Sequence, residues 1–381
     1  MTITEPATDL AVVAARQAGR PGPRDPLGTP FLELETSVVA ERLRALSQVF
    51  AGTAIHYAVR ANPHPDVLAT VVAAGANFDV ASPAEVRACL AAGAAPDDLI
   101  YSNPVKRRHD IAEAAALGVH LFVVDSVPDV RKVAETAPGT AVVCRLVTLR
   151  DGSDRPLSGT YGCSVGETVD ILRLAVGLGL DGAGVSFHLG SRMPDPNAWR
   201  APIIDAARIF ETLRRDGMAP WLLDLGGGLP ARHEEDVPGL AAYGAVIEDQ
   251  LRRSFGDHRP RTIVEPGRAV VCDAGALVST VVGVIRRGDT RWVYLDAGAV
   301  TALVDPVDDT IGNQIETSAD GGPTGPCVLA GPACGSTDVL SQVTPTELPL
   351  DLTKGDVVRL ESVGAYISRY PGSDPLAVVV G

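Results

Sequence analysis

Short apolar, β-branched runs recur along the chain and alternate with stretches whose apolar residues fall at helical spacing. Strands are predicted to begin near Ile55 (IHYAV), Asn77 (NFDVA), Leu99 (LIYSN), Leu121 (LFVVD) and Ala141 (AVVCRLV), at nearly even intervals. Three more follow at wider intervals, near Ala183 (AGVSFHLG), Trp221 (WLLDLGGG) and Thr262 (TIVEPG). Between the early runs, PDVLATVVAAG and PAEVRACLAAG carry apolar residues at i, i+3 and i+4 and end in glycine, the signature of an amphipathic helix and its stop. Eight strand–helix units in series predict an α/β fold, a (β/α)8 TIM barrel over residues 35–270. A doubly wound open sheet is the alternative that the same pattern allows.

Beyond residue 270 the helical period fades. ALVSTVVGVIRR, TRWVYLDAG, GPCVLAGPA, GDVVRLES and DPLAVVVG read as strands separated by turn residues, so residues 271–381 are predicted to form a C-terminal β-domain. Residues 1–34, ending in LGTPFLELE, are expected to leave the barrel and pack on that domain. The polar, glycine-rich stretch 306–325 reads as a loop.

Composition narrows the function classes. The 381 residues are 46% hydrophobic and 21% charged, enough for a sizeable core, and the formal net charge is −14. An acidic chain lacks the electrostatic footprint that nucleic acid or an anionic membrane selects, so neither is an expected partner. No apolar run is long enough to span a bilayer, and acids stand near the start where a signal peptide carries basic residues. The chain is therefore expected to be cytoplasmic. Its six cysteines (Cys89, Cys144, Cys163, Cys272, Cys327, Cys334) form no C-x-x-C pair, and neither a metal site nor a disulfide framework is expected. Lysine is scarce, with Lys106, Lys132 and Lys354 only.

In a barrel of this kind the chemistry sits at the C-terminal ends of the strands. Arg60 follows the first predicted barrel strand, and Asp79 lies in the second. His188 and Ser191 end the sixth, Gly226, Gly227 and Gly228 end the seventh, and Glu265 and Arg268 end the eighth. Three glycines let a ligand approach the backbone and expose N–H groups, which suits phosphate, although a tight strand–helix turn explains them equally. In EPGR a buried carboxylate could hold a protonated ring nitrogen while the arginine takes phosphate; a structural ion pair is the alternative. His188 could stack on a flat cofactor or simply pack. Together they point to a flat, phosphorylated heterocycle.

The motifs HYAVRANPHPDVL, FDVASPAEV, GVSFHLGS, DLGGGLP, EPGR, GPACGSTD and VGAY stand in the order seen in the ornithine/diaminopimelate/arginine decarboxylase family, and the resemblance covers nearly the whole chain. It implies a fold-type III enzyme using pyridoxal 5′-phosphate (PLP), with an alanine-racemase-like barrel, a β-domain, and a site completed across a head-to-tail homodimer. By motif, His188 resembles the residue stacked on the cofactor ring, and Glu265 the carboxylate on its ring nitrogen. Gly226, Gly227, Gly228, Ser191, Arg268 and Tyr366 resemble the phosphate group of residues. Cys334 resembles the thiol lent by the partner chain, and Asp79 the acid beside the cofactor-linking lysine.

The departures matter as much. The family motif carries that lysine where this chain has Arg60, and a guanidinium stays protonated and is a poor nucleophile. Gly335 replaces an acidic residue associated with a distal substrate amine, and Thr160–Gly162 (TYG) replaces a lysine-containing motif. The chain is thus expected to be a divergent enzyme acting on a small amino-acid-like molecule, repurposed from lysine-dependent chemistry. A residual decarboxylase holding PLP non-covalently, and a non-catalytic partner of an active paralogue, are the alternatives. Lys106, after the third strand on the catalytic side, is the only other lysine placed to reach a cofactor.

Overall fold

The computed structural model describes residues 28–148, 160–231, 237–298, 315–333, 338–340, 345–367 and 376–381. It divides into two compact units, residues 36–271 and residues 1–35 with 272–381.

Strand β1 (Phe31–Leu34) belongs to the second unit. The first is a closed parallel barrel of β2 (Thr53–Ala58), β3 (Asn77–Val80), β4 (Leu99–Tyr101), β5 (Leu121–Val124), β6 (Ala141–Leu146), β7 (Asp181–Phe187), β8 (Leu222–Asp224) and β9 (Arg261–Val264), with helices after the strands. Closure is made by β2 against β9, with Thr53, Ala54 and Ile55 opposite Thr262, Ile263 and Val264. An open doubly wound sheet is thereby excluded. Parallel strands covered by helices are buried on both faces, which is why they appear in the sequence as continuous apolar runs. The connecting helices start on local signals. Ser82 Oγ accepts from Glu85 N while Glu85 Oε2 accepts from Ala81 N, with Pro83 in the first turn.

Ile100, Val123, Ala141, Val143, Ala183, Leu222 and Ile263, contributed by β4 through β9, form one buried cluster. Side chains from so many strands meet only inside the barrel, so this cluster is its plug and fixes which alternate residues point inward.

In the second unit, β10 (Gly275–Arg287) pairs antiparallel with β1, with β11 (Thr290–Leu295) and with β15 (Val357–Leu360). β13 (Thr324–Ala330) runs parallel to β11 and antiparallel to β14 (Thr346–Pro349), and β16 (Ala377–Val380) lies parallel to β1. Leu277, Val281, Val293, Leu295, Leu329, Val358 and Leu360 anchor its core. The expectation of a loop over 306–325 is corrected in part. Ile315–Thr317 forms β12, paired with β15, because Ile315 packs against that core and Thr317 is buried; Thr324 and Gly325 already belong to β13. Residues 306–314 lie outside the described residues. No described helix is long and apolar enough to cross a membrane.

Candidate active site

Two residues beyond five of the seven plug side chains the position changes character. Ile100 is followed by Ser102, Val123 by Asp125, Val143 by Arg145, Leu222 by Asp224 and Ile263 by Glu265. A strand repeats its facing every second residue, so these groups form a polar layer directly above the apolar plug. The contact between Ser102 Oγ and Glu265 Oε1, 2.5 Å long, joins the ends of β4 and β9, which are not neighbours in the barrel, and so shows that both face inward.

Arg60 and Asp79 complete the layer. Arg60 sits in the single 3-10 turn Val59–Ala61 after β2, and Asp79 lies in β3 opposite Ala58. Arg60 Nη1 donates to Asp79 Oδ2 at 2.5 Å, with the arginine side chain 35% exposed and the aspartate fully buried. Asp79 Oδ1 and Ser186 Oγ are buried with no hydrogen-bond partner among the described residues. Ser186 stands in register between Arg145 and Asp224.

The layer is crowded with acids. Burial, then the charge of Asp79, pushes Glu265 up to about 7, against the opposing pull of Arg60, Ser102 and Arg145. Burial and the neighbouring Glu265 carry Asp224 upward too, although Gly226 N donates to its Oδ1 at 2.8 Å. Arg145 lies over the Tyr161 ring at 5.5 Å, and Gly162 N donates to Asp125 Oδ2 at 3.1 Å, so the TYG motif braces the layer from β5 and β6.

His188 is held neutral: burial, then the Arg145 and Arg60 charges, keep its pKa well below 6.5. Gly190 N donates to its Nδ1 at 3.0 Å, which leaves the proton on Nε2. The three glycines admit no side chain. A Cβ on Gly226 would stand 2.0 Å from Phe187 O, and one on Gly228 2.5 Å from Gly190 O. A Cβ on Gly227 would stand 2.6 Å from Glu265 O and 3.0 Å from His188 Nε2. The bare backbone of this turn thus adjoins both His188 and the Glu265 backbone. Trp199 and Tyr243 secure the surrounding loops, with Trp199 Nε1 donating to Leu225 O at 3.1 Å and Tyr243 Oη to Met193 O at 2.8 Å.

The structure therefore brings Arg60, Asp79, His188, Gly226, Gly227, Gly228 and Glu265 to one end of the barrel. Ser191 follows Gly190 in the same loop, and Arg268 opens the short helix Arg268–Val271 after the Glu265 turn. Tyr366 belongs to the other unit and adopts a left-handed φ of 58°. Cys334 and Gly335 lie outside the described residues. Ser102, Asp125, Arg145 and Asp224 were not singled out from the sequence; they stand two residues beyond Ile100, Val123, Val143 and Leu222, which only closure of the barrel identifies as its plug.

The Lys106 ammonium is engaged by an acid and backbone carbonyls. Its side chain is fully buried, with Nζ donating to Asp129 Oδ2 and Val123 O at 2.5 Å each and to Asn103 O at 3.0 Å. Lys132 Nζ also binds Asp129, at 2.9 Å. Lys354 lies in a turn of the other unit, before β15.

A phosphorylated pyridine needs three things: side-chain-free N–H donors, a surface for a ring face and a buried carboxylate for the ring nitrogen. The Gly226–Gly228 turn, His188 and Glu265 meet those needs, and the residues present fit PLP. The family model for the pyridoxal-binding domain of pyridoxal-dependent decarboxylases matches residues 36–272. The chain belongs to the pyridoxal-dependent decarboxylase family. A chloroplastic ornithine decarboxylase of Nicotiana glauca is 31% identical over 367 residues, covering 92% of this chain and 83% of that protein. Antizyme inhibitor 2 of Xenopus laevis is 34% identical over 227 residues, 59% of this chain and 50% of that one. The crystal structure of lysine/ornithine decarboxylase from Vibrio vulnificus, complexed with putrescine, matches this decarboxylase-family chain with a TM-score of 0.84 at 28% identity, covering 97% of both.

Proposed function

We propose that this chain is a decarboxylase-family enzyme that acts on a small amino-acid-like substrate and holds PLP reversibly, without a lysine link. The observation that carries the reading is the Arg60–Asp79 ion pair, formed where the family motif has its lysine, together with the engagement of Lys106 and Lys132 by Asp129.

Gly226 to Gly228, Ser191 and Arg268 are the residues that would hold the phosphate. His188 would cover one ring face with its neutral imidazole, and Glu265 would face the ring nitrogen while its Oε1 accepts from the Ser102 hydroxyl. When bound, PLP supplies an electron sink for bonds broken at a substrate α-carbon. Arg60 keeps a fixed positive charge beside the reacting region and cannot give it up, so it stabilises an anion there and takes no covalent part. Without an amine at position 60, turnover lacks the transfer of the cofactor between lysine and substrate, and ordinary decarboxylation is expected to be slow. The form proposed is a head-to-tail homodimer.

The experiment compares carbon dioxide release from L-ornithine, L-lysine and L-arginine, with PLP supplied, for the natural chain and the R60K variant. The reading expects the variant to exceed the natural chain by at least about a hundredfold, the scale of a lost catalytic group. Equal rates would refute it. A second reading is favoured by the similarity to antizyme inhibitor 2: a non-catalytic partner of an active family member. Activity that appears only when the two are mixed would establish that alternative.

A further inference from the structure

We propose that Ser102 is a positioning residue for the cofactor: its hydroxyl aims the Glu265 carboxyl at the ring nitrogen and keeps that carboxyl an acceptor. This rests on the reading of Glu265 given above and adds a residue to it. The backbone on both sides is already fixed. Glu265 N donates to Gly226 O at 2.9 Å, Ala58 N to Pro266 O at 3.1 Å, and Ser102 N to Val80 O at 2.9 Å. What these bonds leave open is the direction of the long Glu265 side chain, which turns about several single bonds. Ser102 Oγ, arriving from the end of β4, donates to Oε1 at 2.5 Å and sets that direction. In the closed barrel β2 and β3 stand between β4 and β9, so the contact crosses the interior.

The groups that face Glu265 show why a donor is needed there. Burial and Asp79, from β3, favour the protonated carboxyl, while Arg60, after β2, and Arg145, from β6, favour the ionised one. Asp224, from β8, shares a hydrogen bond with Glu265, and burial together with Glu265 pushes its own carboxyl well up. Gly226 N donates to Asp224 Oδ1 at 2.8 Å. Two acids therefore meet in one buried layer, and a protonated ring nitrogen requires that Glu265 be the one left ionised, because only a carboxylate is purely an acceptor. A hydroxyl that donates to Glu265 favours the ionised form.

The choice of a neutral donor matters. A lysine or arginine at position 102 would also favour the carboxylate, but as a cation it would pair with Glu265 and compete with the ring nitrogen for it. The serine hydroxyl has one proton to give and adds no charge, so it orients Oε1 and leaves the carboxylate's remaining acceptor capacity for the cofactor. A role confined to fastening β4 to β9 predicts something different: loss of the hydroxyl would lower stability without moving the titration of Glu265.

The test has two readouts on the full chain. The first is infrared titration of the cofactor-free protein, following the protonated-carboxyl band that E265Q removes. Its midpoint is expected near 7 in the natural chain, about one pH unit higher in S102A, and restored in S102T, whose hydroxyl can make the same bond. The second is PLP affinity against pH, followed by absorbance. S102A is expected to move the acid limb up by about one unit, so that binding is about tenfold weaker below about pH 6, and to leave the basic limb in place. Should S102A fail to fold, S102C, whose thiol is the weaker donor, is expected to move both readouts the same way by less. An unchanged infrared midpoint, or a loss of affinity equal at every pH, would overturn the proposal. A midpoint that moves while the PLP profile stays as in the natural chain would instead overturn the assignment of Glu265 to the ring nitrogen, which keeps the two failures distinct.

Discussion

Two cation–carboxylate pairs stand at the same end of the barrel and behave differently. Lys106 is closed in, its ammonium shared among Asp129 and the carbonyls of Val123 and Asn103, with 0% and 3% of the two side chains exposed. Arg60 meets Asp79 Oδ2 and is 35% exposed, and Oδ1 of Asp79 has no hydrogen-bond partner among the described residues. The first pair fastens β5 to the loop after β4 and to the helix that carries Asp129. The second is partly open to solvent on the arginine side. Position after a strand end is therefore no guide to chemistry; burial of the cation separates a fastening from a group that solvent can reach.

The largest expected effect lies in the closed pair. K106M leaves Asp129 buried and reliant on Lys132, and should cost about 3–5 kcal/mol of stability in urea unfolding. R60Q should cost about 1 kcal/mol or less, because the amide can still donate to Asp79 and the arginine is partly solvated. Equal losses would erase the distinction between the two pairs.

Next in size is G227A. Its methyl group must displace the Glu265 carbonyl and crowd His188, at about 1–3 kcal/mol of strain. PLP affinity, followed by absorbance titration, should fall by tenfold or more. Retained affinity would mean that the glycine turn is only a tight connection.

A subtler effect concerns Glu265. Folding raises its pKa from an ordinary 4.5 to about 7, so the folded chain holds a proton that the unfolded chain has lost. The associated stability is fully present below about pH 4.5 and disappears as pH rises through 7. In the cofactor-free chain E265Q should remove this slope, so that its melting temperature changes less than the natural chain's between those limits. An unchanged slope would place the titration elsewhere.

The barrel was legible because parallel strands buried on both faces leave recurring apolar runs, from Ile55 to Thr262, with helical stretches between the early ones. His188, Gly226–Gly228 and Glu265 were legible because they follow those runs immediately. Ser102, Asp125, Arg145 and Asp224 were not. A single polar residue at the end of a three- to six-residue run reads as the start of a loop, and only closure of the barrel shows that it faces the plug's side. Lys106 misled for a related reason. Its partner Asp129 lies one strand and one turn further along the chain, and nothing local announces that the ammonium turns toward it. Ile315–Thr317 was hidden among polar neighbours because a short strand draws its stability from β15, which is distant in sequence.

The central claim, that the cofactor is held without a lysine, is tested most directly by mass measurement of the intact chain after incubation with PLP and reduction with borohydride. The account predicts no retained phosphopyridoxyl group on the natural chain, and one in R60K on the peptide spanning position 60. A stoichiometric label on Lys106 or Lys132 of the natural chain would contradict it.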